Sequence, residues 1–127
     1  MDLKDLGIIE GFRVIEVGVL ASNKGHIEQK FDSIKLKIRG IEFNQELFDI
    51  EGHEPRLAFP EKIDPVSVIS KKYKYYFVRP GVTQRFPVVV KIPKNWRLVQ
   101  ARSTFKYFSL DEIHTAERSF ALAQNNA

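Results

Sequence analysis

The chain has 127 residues, 43% apolar and 28% charged, with no cysteine and a formal net charge of +4. A chain this long suits one domain over 1–127, with enough buried surface to need neither disulfides nor a structural metal. Lack of cysteine excludes thiolate zinc sites and a cysteine nucleophile, no run of 18 apolar residues is present to span a membrane, and Met1–Asp5 lacks a secretion-signal profile. These features read together as a cytoplasmic protein with no membrane partner.

Residues 8–21 form a β-branched, apolar-rich run that stops at the turn chemistry of Ser22-Asn23-Lys24-Gly25. Residues 31–39 alternate cleanly, with Ile34, Leu36 and Ile38 on one face and Ser33, Lys35, Lys37 and Arg39 on the other. That period of two predicts a half-buried strand whose outer face is basic.

The stretch 44–70 reads as a long acidic connection holding at most one helical turn after Asn44, because Gly52, Pro55, Pro60 and Pro65 interrupt any longer element. Three strands are predicted after it. Lys72–Val78 is aromatic and β-prone, and Arg79-Pro80-Gly81 has the order of a type II turn. Phe86–Ile92 follows, and Pro93-Lys94-Asn95 then turns the chain into a long strand from Trp96 to about Phe108. In that strand Val99, Ala101, Ser103, Phe105 and Tyr107 share a face, and Leu98, Gln100, Arg102, Thr104 and Lys106 share the other.

The C-terminal stretch reads as a helix over 110–124. Ser109 and Glu112 have capping-box spacing, and Ile113, Ala116, Phe120 and Ala123 recur at helical intervals. The fold expectation is therefore α+β: a mainly antiparallel, twisted sheet of about five strands backed by one C-terminal helix. The stripe Ile113, Ala116 and Phe120 must then bury against the sheet or against a second copy in a homo-oligomer.

Charge is distributed unevenly. Residues 1–64 carry 13 acids and 9 bases, whereas 65–110 carry ten bases and no acid: Lys71, Lys72, Lys74, Arg79, Arg85, Lys91, Lys94, Arg97, Arg102 and Lys106. The span 71–108 also holds nine of the fifteen aromatics. Cations beside flat rings are what single-stranded nucleic acid requires, the cations for phosphates and the rings for bases. No predicted helix has a basic face suited to a major groove, so a sheet platform and single strands are favoured.

The residues assigned to nucleic acid are Lys35, Lys37, Arg39, Lys72, Lys74, Tyr76, Trp96, Arg102 and Lys106. Tyr76 and Trp96 are the rings proposed to stack, Tyr76 because it shares a face with Lys72 and Lys74 and Trp96 because it sits at a hairpin end. An alternative is a structural or assembly protein, in which the acidic 42–64 segment pairs with the basic 65–110 segment of another copy or of a partner subunit. The acidic segment lying over the basic sheet of its own chain is a further variant.

Enzymatic signals are absent from the sequence. No Ser-His-Asp arrangement and no phosphate-cradling glycine loop is present, His53 lies among acids at no metal-site spacing, and Glu51 and Glu54 are supported only by being carboxylates. No cofactor, metal or catalytic residue is assigned.

Overall fold

The computed structural model describes residues 1–23, 25, 29–46, 48–49, 56–57, 59–68, 76–107 and 113–123, with the backbone alone at 48–49, 56–57 and 76. All regular elements among them are strands, in chain order β1 (Asp2–Ile9), β2 (Phe12–Ser22), β3 (Gln29–Glu42), β4 (Phe48–Asp49), β5 (Arg56–Leu57), β6 (Glu61–Lys62), β7 (Val66–Ser67), β8 (Tyr76–Val78), β9 (Thr83–Pro93), β10 (Trp96–Tyr107) and β11 (Ile113–Ala121). The α+β expectation is thereby corrected to all-β.

One sheet has the order β1-β2-β9 and a second has the order β11-β10-β3, with β6, β7 and β8 along the far edge of β3. The span 61–78 meets β3 antiparallel at three places: Lys62 opposite Arg39, Ser67 opposite Lys35, and Tyr76 opposite Phe31. Pro65 stands between β6 and β7, and its missing N–H interrupts the ladder that would join them into one strand.

The two sheets face each other across one apolar core. Ile15, Val17, Val19 and Ala21 of β2 and Val90 and Ile92 of β9 meet Ile34, Leu36 and Ile38 of β3 and Val99, Ala101 and Phe105 of β10. These are the alternate residues that a pleated strand points one way, so period two in the sequence becomes burial in the fold. Arg13 closes one end of the core. It is buried, forms an ion pair with Asp5, and donates from Nη2 to the Ala123 carbonyl at 2.7 Å.

Residues 8–21, read above as a single run, divide into a hairpin. Glu10 and Gly11 both have positive φ, 52° and 83°, which is the type I′ geometry of a two-residue loop joining Ile9 to its opposite, Phe12. The turn after β8 follows its sequence. Gly81 has φ 76°, and the Val82 N–H donates to the Arg79 carbonyl at 3.1 Å. Buried Asn23 anchors that turn, accepting from the Gly81 N–H at 2.8 Å and donating from Nδ2 to the Val78 carbonyl at 2.8 Å.

The C-terminal helix is not present: 113–121 is β11, antiparallel to β10 with Phe120 opposite Val99 and Ile113 opposite Lys106. The proposed cap, Ser109 and Glu112, lies outside the described residues. β10 would otherwise leave one side of a twelve-residue backbone unpaired, and pairing it outweighs a helix with a single apolar stripe. The stripe also dissolves, because in a strand Ile113 faces opposite to Ala116 and Phe120. Ile113 is 63% exposed and Phe120 half-buried. An oligomer built on a helix stripe loses its structural basis with the helix.

Candidate nucleic-acid interface

The outer face of β3 and β10 gathers five of the sequence-assigned residues. Ile34, Leu36 and Ile38 are drawn into the core, which forces Lys35, Lys37 and Arg39 outward. On β10, buried Ala101, Ser103 and Phe105 place Arg102 and Lys106 on the outer side in the same way. Register sets them side by side: Arg102 is opposite Lys37, Thr104 opposite Lys35, Gln100 opposite Arg39, and Lys106 opposite Ser33. Directly opposed residues lie about 5 Å apart and same-face neighbours about 7 Å apart along a strand.

A sixth cation joins from a segment that the sequence reading treated as acidic. Lys62 of β6 pairs directly with Arg39. Beside them, Lys37, Arg39, Lys62 and Asp64 line a cleft of about 300 Å³, where 63–65 lies between the two places at which β6 and β7 touch β3.

Two of the six cations have carboxylate partners on the same face. Arg102 Nε donates to Glu117 Oε2 at 2.7 Å, and Lys106 Nζ lies 3.7 Å from Asp32 Oδ2. Among the described residues no carboxylate lies within ion-pair distance of Lys35, Lys37, Arg39 or Lys62. Like charges opposed across strands, as in Lys37 with Arg102 and Arg39 with Lys62, destabilise a sheet unless an anion lies between them.

The acid-free block 65–110 does not form one surface. Its β9 members lie on the other sheet, where Arg85 donates to both oxygens of Asp2, at 2.7 and 3.0 Å, and reaches Glu16 at 3.4 Å. That hydrogen bonding holds the Asp2 carboxyl below its ordinary pKa and raises that of the Arg85 guanidinium. Lys91 lies over the Phe12 ring, 4.7 Å from its centroid. The basic face instead combines β10 with β3 and β6, two strands from the half with net negative charge.

Trp96 is corrected. It is 1% exposed and packs against Gly40 of β3, so no base can stack on it. Tyr76 lies on β8 at the β3 edge, opposite Phe31, and its side chain is outside the described residues, as are Lys72, Lys74, Glu51, Glu54 and His53. Lys62 carried no signal in the sequence beyond being a lysine among acids. Among the described residues, no three His, Cys, Asp or Glu side chains group to hold a metal ion, and no helix is long and apolar enough to cross a membrane. Searches against protein-family models and curated proteins return no match to this chain.

Proposed function

We propose that this chain is a non-enzymatic, cytoplasmic nucleic-acid-binding domain that holds a phosphate backbone on the outer face of β3, β6 and β10. The observation that carries this reading is the set Lys35, Lys37, Arg39 and Lys62: four cations on one sheet surface, none paired with a carboxylate among the described residues. Arg102 and Lys106 extend the face and are held in place by Glu117 and Asp32. With Trp96 buried, affinity is led by phosphate contacts, and binding tolerates sequence. Single strands are favoured because the described residues contain no helix to enter a major groove and a pliable strand conforms to a sheet surface.

The test is a fluorescence titration of a labelled single-stranded oligonucleotide at several salt concentrations. Four phosphate contacts give a log–log slope of about −3, so affinity drops roughly 50-fold between 50 and 200 mM salt. Absence of binding at 50 mM salt, or a slope near zero, refutes the reading. Self-association under those conditions, seen by sedimentation, would favour assembly through the acidic 42–64 and basic 65–110 segments.

A further inference from the structure

β1 is shorter than the strand it pairs with. Their pairing ends at Asp2 opposite Gly18, so Val19–Ser22 of β2 have β9 on one side and, among the described residues, no strand on the other. The phase of the backbone follows from Asn23, which donates its N–H to the Val82 carbonyl and accepts from the Gly81 N–H, both on the β9 side. Alternation along the strand then turns the N–H and C=O groups of Leu20 and Ser22 away from β9, into the gap.

The gap has an apolar floor. It opens over a cleft of about 410 Å³ lined by Phe31, Phe105, Tyr107, His114 and Ala116 together with the β2 edge. Phe31 sits with its ring centroid 5.4 Å from Phe105 and 5.2 Å from Tyr107, forming a continuous aromatic surface. On β11, His114 and Ala116 lie opposite the buried Phe105 and Ser103, so they face inward, yet both are exposed. No strand of the first sheet covers them among the described residues.

We propose that this gap receives an extended segment of a partner polypeptide, added to the first sheet beside Val19–Ser22 as a continuation of the line of β1. Ladder groups at strand spacing that meet no strand among the described residues select a peptide backbone over a small apolar molecule, and the aromatic floor selects apolar side chains at alternate positions. About four residues fit, spanning some 13 Å. A residue facing Leu20 or Ser22 must supply an N–H, which excludes proline there. The side of β9 away from β2, by contrast, carries Pro87 and Pro93 and meets no strand among the described residues, and β1 is broken by a bulge between Asp5 and Gly7. The proposal is independent of the basic face, which lies on the outer side of the other sheet.

The test uses the full chain, isotope-labelled for amide exchange, with the capped peptide Thr-Val-Thr-Val-Thr and its control Thr-Val-Pro-Val-Thr. Saturating peptide should slow exchange of the Leu20 and Ser22 amides at least tenfold, and the proline control should bind about tenfold more weakly, as loss of one ladder hydrogen bond implies. Ala116→Lys, at an exposed position, should abolish the protection while melting like the parent. Unchanged exchange at millimolar peptide, or equal binding of the proline peptide, overturns the proposal. So does concentration-dependent protection of those amides without peptide, which would make a second copy the occupant.

Discussion

Gly40 is where the core tolerates least. It pairs with Val99 on one side and Glu61 on the other, so its backbone is held by both neighbouring strands. A Cβ built on it meets Trp96 Cε3 at 2.1 Å, Cδ2 at 2.3 Å and Cζ3 at 2.5 Å. Carbon atoms in ordinary contact stand about 3.5–4.0 Å apart, so the indole must retreat by more than 1 Å. It is 1% exposed and has no space to enter. Overpacking of this kind costs about 1–3 kcal/mol, set against a gain of at most about 1 kcal/mol from stiffening the unfolded chain.

Gly40→Ala should therefore lose about 2 kcal/mol in urea denaturation at unchanged m, with a drop of roughly 8 °C in Tm. In a Trp96→Phe background the smaller ring makes room, and the same substitution should cost at least about 1 kcal/mol less. A neutral or stabilising Gly40→Ala, or strict additivity of the two changes, would show that Trp96 does not lie over Gly40.

Phe120→Ala should cost only about 1–2 kcal/mol, below the value for a closed core, because Phe120 is half-buried on an edge strand with the Arg118 guanidinium 5.2 Å from its ring centroid; thermal melting measures it. Arg13→Met should lose about 2–3 kcal/mol in chemical denaturation, since it strips Asp5 and the Ala123 carbonyl of a shared buried donor. The Asp2 carboxyl, held below its ordinary value chiefly by the hydrogen bond from Arg85, contributes stability that is complete above the unfolded carboxylate pKa of about 3.9 and fades as pH falls through the lower folded value. Asp2→Asn should lower the urea midpoint slightly near pH 7, where the contribution is complete, and converge on the parent as pH falls below about 4. The effect is small because both side chains are exposed.

Strand periodicity carried most of what the sequence revealed. Ile34, Leu36 and Ile38 against Lys35, Lys37 and Arg39, and Val99, Ala101 and Phe105 against Arg102 and Lys106, are buried and exposed as alternation requires, because a half-buried strand leaves no other arrangement. The C-terminal segment misled for a physical reason. Positions 113, 116 and 120 fit a helix by spacing alone, and the demand of β10 for a backbone partner is a tertiary effect invisible in a local window. The Glu10-Gly11 turn was missed because it interrupts an apolar run by only two residues, one of them not a usual turn former.

The interface shows a similar division. Which side of each strand is basic was legible; which strands are neighbours was not. Counting charge by segment pointed to 65–110, but β9 of that block went to the opposite sheet, and Lys62 came to the face from the acidic connection. Trp96 was assigned to a surface by its place at a hairpin end, whereas the bulge between Trp96 and Leu98 marks where its ring turns into the core.

The central claim is that the outer face of β3, and not basic charge in general, holds nucleic acid. It is tested most directly by comparing Lys35→Gln/Lys37→Gln/Arg39→Gln with Lys4→Gln/Arg85→Gln/Lys91→Gln, two triple variants of equal charge on opposite sheets, in oligonucleotide titrations at matched salt. The account predicts that the first loses at least tenfold in affinity and lowers the magnitude of the salt slope by about 2, whereas the second stays near the parent in slope and within about threefold in affinity. Equal losses from both variants, or a larger loss from the second, would contradict it.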